Sequence, residues 1–242
     1  MDGQPRATTG ASGSTALRDY FRDVSRAGTL RDTTVRRRIA SLRVYLKYIQ
    51  RTDPGRALPL DLGEFRYKTE QRIPAVMTDD EFRAFLAEVH RAAAGMDAGS
   101  LGGFLALRDR ALFELLFSTG MRIGEASAAE VQDLTLPGGE LRVRGKGRKQ
   151  RILELVHPTT KDSLQGYLAA RSPRVPEATA LFVSRSGGRL SIHAIERLFA
   201  RHCTAAGVQR HLTPHAIRHT VATGLLRKGA DIRVVQAILG HT

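Results

Sequence analysis

A mainly α-helical chain carrying one small antiparallel β-hairpin, preceded by a small all-helical unit, is the fold class this sequence predicts. Three observations carry it. Apolar residues recur at helical spacing, as in Val35, Ile39, Leu42, Leu46 and Ile49, and again in Phe82, Phe85, Leu86 and Val89. Alternating polar and apolar residues flank the cationic, glycine-bearing segment Gly145-Lys146-Gly147-Arg148-Lys149. A stretch of Pro, Gly and charge from Arg56 to Pro74 separates the first helices from the remainder. The expected organisation is a flexible lead over 1–14, a short helical domain over 15–68 and a larger α+β domain over 72–242.

The elements follow in order. Leu17, Tyr20, Phe21 and Val24 share a face of a helix expected over about 16–27. Thr33-Thr34 opens a second, which Asp53-Pro54-Gly55 stops; Arg36, Arg37 and Arg38 fall mostly off its apolar stripe. Thr78-Asp79-Asp80-Glu81 places a capping residue and acids at a helix start. Leu105–Ser118 is apolar enough to be a buried helix, and Gly120 ends it. A helix is expected from Met121 to about Val131, then the hairpin strands Glu140–Arg144 and Gln150–Leu155. Next come a helix over Pro158–Ala170, a short strand Leu181-Phe182-Val183, and a helix over Ser191–Ala206. Thr213-Pro214 reads as a cap followed by proline at the first helical position of a helix to about Lys228. Asp231 starts the last helix and Gly240 closes it.

Composition narrows the function. Thirty-eight Lys and Arg oppose 24 acids, for a formal charge of +14 and a pI of about 10.9. Such a balance attracts polyanions, although charge alone also fits a merely solvated basic surface. Cys203 is the single cysteine, so no disulfide forms within the chain and a cytoplasmic setting is expected. The N-terminus lacks the apolar region of a signal peptide, and no run approaches the roughly 18 apolar residues of a membrane span. No membrane role is expected.

Four segments bear chemistry. In Thr213-Pro214-His215-Ala216-Ile217-Arg218-His219, His215 and Arg218 are three apart on one face of a helix's first turns, where free N–H groups favour an anion. In Ser118-Thr119-Gly120-Met121-Arg122-Ile123-Gly124-Glu125, Arg122 emerges after a buried helix, with Glu125 one turn on. Lys146 sits between glycines at the hairpin tip, and His241 follows the Leu239-Gly240 helix stop. Each segment alone fits an ordinary surface turn or ion pair. Together they supply what phosphoryl transfer on a nucleic acid demands. Planar arginine forks grip non-bridging oxygens, and nearby groups move protons.

In order and local context the four strings resemble the tyrosine recombinases, the phage-integrase type of DNA breaking and rejoining enzyme. The similarity extends through Arg144–Arg151, Thr220, Ala222-Thr223, Gly229-Ala230-Asp231 and Thr242, and covers about 72–242. It implies that Arg122 and Arg218 hold the scissile phosphate and that Lys146 protonates the leaving 5′-oxygen. His215 would contact the phosphate and help deprotonate the nucleophile, His241 would hydrogen-bond a phosphate oxygen, and Glu125 would support the arrangement. Arg36, Arg37, Arg38, Arg148 and Lys149 would contact the DNA backbone. The implied reaction forms a 3′-phosphotyrosyl link and reverses it with another strand, so no cofactor or metal is required. The implied partners are double-stranded DNA and further copies of the chain in a synaptic tetramer.

Two departures stand beside the resemblance. The family's nucleophile is a tyrosine about nine residues beyond the position of His241, whereas Tyr20, Tyr45, Tyr48, Tyr67 and Tyr167 all fall in other contexts. The expectation is a truncated chain that holds DNA without cutting it; the alternative is a non-catalytic DNA-binding regulator derived from the same fold. The N-terminal domain is also short, with two helices where the family's core-binding domain usually has four or more. A zinc site at His215 and His219, with His202, Cys203, His211 and His241 nearby in sequence, is a further rival. It lacks a second cysteine or acidic pair at ligand spacing, and Arg218 lies between the two histidines. No metal site is expected.

Overall fold

The computed structural model describes residues 15, 19, 32–55, 75–144 and 150–240. The chain divides into two compact units, Met1–Arg72 and Ile73–Thr242.

In the first unit, α1 (Asp32–Thr52) buries Val35, Ile39 and Leu46 along one stripe, the i, i+4, i+11 set expected of an amphipathic helix. Arg36, Arg37 and Arg38 are exposed, as are Val44, Tyr45 and Tyr48. The last turn closes through Asp53 N–H to the Ile49 carbonyl (2.8 Å), and Pro54 then prevents continuation. The helix expected over 16–27 and the linker over 56–74 fall outside the described residues, apart from Asp19, which is helical.

The second unit contains α2 (Asp79–Ala93), α3 (Leu101–Thr119), α4 (Ile123–Ala128), a 3₁₀ turn (Val131–Asp133), β1 (Leu134–Thr135), β2 (Glu140–Arg144) and β3 (Gln150–Glu154). Four helices follow: α5 (Pro158–Arg171), α6 (Ile192–Ala205), α7 (His215–Arg227) and α8 (Ile232–Leu239). Helix α3 is the axis of the core, packed against α2, α5 and α7. Leu112, Phe113, Leu115 and Leu116 are almost wholly buried within it. Phe85 meets Phe113 edge-on, with ring centroids 5.0 Å apart, and lies 5.2 Å from Phe199, tying α2, α3 and α6 together.

Helix α2 starts on a reciprocal capping box. Glu81 N–H donates to Thr78 Oγ1 (3.2 Å), and Thr78 N–H donates to Glu81 Oε2 (2.8 Å). Arg210 then forks onto the same carboxylate, with Nε on Oε1 at 2.7 Å and Nη2 on Oε2 at 2.5 Å. Chiefly through that hydrogen bond, the Glu81 carboxyl falls to about 2. Its folded value is below its unfolded one, so its contribution to stability is complete above about 4.5 and is lost as the pH falls towards 2. Thermal unfolding between pH 2 and 7 should show wild type losing more of its melting temperature than Glu81→Gln. Parallel curves would contradict this.

The sheet is antiparallel in the order β1-β2-β3, with Val143 opposite Arg151 and Arg144 opposite Gln150. Leu141, Val143 and Leu153 point into the core. The predicted hairpin strands are therefore present, joined in sequence by residues 145–149, which lie outside the described set. β1 was not foreseen, since two residues carry no readable period.

Three expectations need correction. The helix predicted from Met121 to Val131 is only α4: Ala129 turns to extended backbone, and its carbonyl accepts from Leu181 N–H (2.8 Å) while Val131 N–H donates to Thr179 (2.9 Å). That pairing with a distant segment takes the chain out of the helix. The predicted strand at 181–183 does not form a ladder; isolated bridges Glu130–Ala180 and Val183–Arg189 take its place. Pro214, not Thr213, occupies the cap position of α7, so that helix begins at His215.

Candidate functional site

Gly120 is where the site begins. It ends α3 in a left-handed conformation (φ +62°), a geometry that favours glycine. An added Cβ would lie 2.6 Å from Leu239 Cδ2 and 3.2 Å from Val221 Cγ1, so α7 and α8 approach this point closely. The chain then reverses, and Arg122 becomes the residue preceding α4.

Arg122 and Glu125 face each other across the first turn of α4. Arg122 N–H donates to Glu125 Oε2 (2.9 Å), and its Nη1 to Oε1 (3.2 Å). The Nη2 of Arg122 reaches the Gly240 carbonyl at the end of α8 (3.2 Å). With 42% of its side chain exposed, Arg122 retains a face to solvent.

Arg218, on the first turns of α7, is 6% exposed. Its Nη1 donates to the Gly120 carbonyl (2.9 Å) and its Nη2 to the Leu239 carbonyl. Two orphan carbonyls, one at each helix end, thus fix the guanidinium. Burial foremost, then the positive charges of Arg122 and Arg151 against a partial offset from Glu125, lower its pKa to about 10. Arg218 therefore stays charged at neutral pH under electrostatic stress that a bound anion would relieve.

A third guanidinium completes the cluster. Arg151, on β3, places Nη1 on Glu125 Oε1 (2.7 Å) and Nη2 on Oε2 (2.9 Å). Burial alone raises the Glu125 carboxyl. Hydrogen bonds from Arg151 and the Arg122 N–H, with both positive charges, outweigh that and hold it below its ordinary value. One carboxylate thus faces three arginines, and the excess positive charge opens toward solvent at Arg122.

Of the residues singled out in the sequence, the fold brings Arg122, Glu125 and Arg218 together. His215 is exposed at the first position of α7, its ring 5.9 Å from that of His219 one turn on. Lys146, Arg148, Lys149 and His241 lie outside the described residues; β2 and β3 flank the first three, and Gly240 precedes the last. Arg36, Arg37 and Arg38 lie on α1 in the other unit. Tyr167 is wholly buried, its hydroxyl donating to the Leu181 carbonyl (3.1 Å) and accepting from Val183 N–H (3.2 Å), so it serves the core. Among the described residues no group of three or more His, Cys, Asp or Glu side chains is placed to hold a metal ion, and no helix is long and apolar enough to cross a membrane. The sequence motifs assign Arg151 no role. Its signal is alternation: it shares the inward face of β3 with Leu153, an unusual place for an arginine.

The fold is thus a mostly helical core with a three-stranded sheet, carrying an arginine cluster at its helix ends. The family model of the phage integrase family matches residues 75–242, and the chain belongs to that family. It is 33% identical over 219 residues to the tyrosine recombinase XerC of Syntrophus aciditrophicus strain SB, a match covering 88% of this chain and 67% of the relative. The crystal structure of XerH recombinase, a post-cleavage complex with palindromic difH substrate, superimposes with a TM-score of 0.77 at 24% identity, covering 95% of this chain and 65% of that one. The crystal structure of XerA recombinase gives 0.60 at 25% identity, covering 94% and 74%. The chain thus spans about two thirds of these relatives' length, and its mixed fold is theirs.

Proposed function

We propose that this chain is the DNA-gripping and catalytic portion of a site-specific tyrosine recombinase acting on double-stranded DNA in the cytoplasm. Arg122 and Arg218 hold the scissile phosphate between them. The observation that carries this reading is the convergence of the two guanidiniums, 96 residues apart in the chain, on the carbonyls of Gly120, Leu239 and Gly240. Both bring charge to one place, where Glu125 is shared among Arg122, Arg151 and Arg218, so that positive charge is in excess among the described residues. Forked guanidinium donors of this kind stabilise charge that develops on phosphate oxygens during strand transfer.

The remaining roles follow from position. His215 stands at the N-terminal end of α7, one turn before Arg218, where it can contact the same phosphate. Lys146, on the connection between β2 and β3, is the proton donor to the leaving 5′-oxygen, and His241, directly after Gly240, is a further phosphate ligand. Glu125 holds Arg122 in place. Arg36, Arg37 and Arg38, with Arg148 and Lys149, contact the DNA backbone. Several copies assemble on DNA during exchange. None of the five tyrosines in these 242 residues stands in the sequence context of the family's nucleophile, so a polypeptide of this sequence binds duplex DNA without forming a covalent adduct.

The test is equilibrium binding to duplex DNA by fluorescence anisotropy over 50–200 mM salt. Six to ten phosphate contacts predict an affinity loss of about 10³–10⁵ across that range. A salt-independent affinity would overturn the proposal.

A further inference from the structure

We propose that Arg151 is a positioning residue of the phosphate site, which takes the forked pairing of the Glu125 carboxylate so that the Arg122 side chain keeps one longer contact to it and remains available to the phosphate. This rests on the phosphate-site reading given above.

The geometry supports a competition between two arginines for one carboxylate. Arg151 makes the two short contacts to Glu125, at 2.7 and 2.9 Å. Arg122 makes only a longer side-chain contact, at 3.2 Å, although it is three residues away on the same turn. A carboxylate so close to Arg122 would otherwise form the forked pair with it and cancel the charge the phosphate needs. Arg151, entering from β3, makes the forked pair with both oxygens instead. It is 21% exposed, against 42% for Arg122, so the less exposed cation takes the forked pairing and the more exposed one keeps a face to solvent.

The same side chain joins three elements. It leaves β3, beside the connection that carries Lys146, and reaches the N-terminus of α4 through Glu125. Its guanidinium also lies against Gly240: an added Cβ there would sit 3.0 Å from Nη1 and 3.1 Å from Cζ. Gly240 is itself left-handed (φ +68°) and offers its carbonyl to Arg122. Arg151 Nε is buried and has no hydrogen-bond partner among the described residues, where the two Glu125 contacts account for its guanidinium N–H bonding. A shift of Arg151 therefore reaches the hairpin, Arg122 and the residue before His241 at once.

The roles separate in a titration of the 242-residue chain with inorganic phosphate at constant ionic strength. Bound phosphate is read from the rise in melting temperature, which depends on ligand concentration over Kd. Arg151→Gln should weaken phosphate binding about tenfold, since Arg122 becomes sequestered by Glu125 as in a strong ion pair. Arg151→Lys should recover little, because an ammonium cannot occupy both oxygens in a fork. Adding Glu125→Gln to Arg151→Gln should restore binding to within about threefold of Glu125→Gln alone, because nothing then competes for Arg122. Equal weakness of Arg151→Gln and the double variant would overturn the positioning role and make Arg151 a direct ligand or a structural prop. Wild-type phosphate affinity in both Arg122→Ala and Arg218→Ala would instead sink the underlying phosphate site.

Discussion

Replacing Arg218 by alanine, in a polypeptide that carries this site together with the family's tyrosine, should slow strand cleavage about 10²–10³-fold, the cost of deleting one preorganised donor. Duplex binding should fall far less, since Arg218 supplies one phosphate contact among many along the DNA. The difference arises from burial. Arg218 is fixed by the Gly120 and Leu239 carbonyls and is almost out of solvent, so its charge acts through a medium of low polarity. It does not have to be reoriented when charge develops on the phosphate. The stability cost of the deletion is partly offset, because burial and the charges of Arg122 and Arg151 already press its pKa down to about 10. Arg218→Lys serves as the companion variant: it keeps a positive charge but loses the fork, and it too should cleave slowly. Single-turnover cleavage of a suicide substrate, set beside anisotropy, measures both quantities. Equal losses of cleavage and binding would make Arg218 a general DNA contact rather than a transition-state ligand.

The parts of this site that lie within one turn of helix could be read in the sequence. Arg122 and Glu125 are three apart, as are His215 and Arg218, and Gly120 announces the break that sets Arg122 at a helix end. The long apolar run of α3 was equally legible, because a helix buried on all sides needs no partner to be recognised. What joins these pieces could not be read. Arg151 finds Glu125 across 26 residues of sequence, through a hairpin whose register depends on both strands. Helix α4 is short because Ala129 and Val131 pair with backbone at 179–181, which no local pattern around 129 reveals. The apolar triplet Leu181-Phe182-Val183 has the composition of a strand, but its side chains fill the core beside Tyr167 while its backbone forms only single bridges. Periodicity reports burial, and these three residues are buried without belonging to a ladder.

Gly120→Ala should cost about 2–5 kcal/mol of folding stability and disable the phosphate site together. About 1–2 kcal/mol comes from placing a Cβ in a left-handed conformation. A further 1–3 kcal/mol, roughly, comes from overpacking. The new methyl would stand 2.6 Å from Leu239 Cδ2, the end of a side chain that is only 3% exposed, so that side chain must repack within the core or α8 must move. A movement of α8 would reach the arginines. The Leu239 carbonyl on α8 and the Gly120 carbonyl itself are the two acceptors that fix Arg218, and the next residue's carbonyl receives Arg122. One methyl group therefore strains the fold at the point where both arginines are anchored. Gly166→Ala and Gly224→Ala provide the contrast. Both glycines lie inside helices, and nothing stands within 4 Å of an added Cβ at either, so alanine there should stabilise by about 0.5–1 kcal/mol. Denaturant unfolding of the three variants gives the comparison directly, and phosphate titration of Gly120→Ala under conditions where it remains folded tests the second effect. A Gly120→Ala protein within about 1 kcal/mol of wild type that still binds phosphate normally would show α8 to be free to shift, and the rigid anchoring of the arginines argued from its contacts would be wrong.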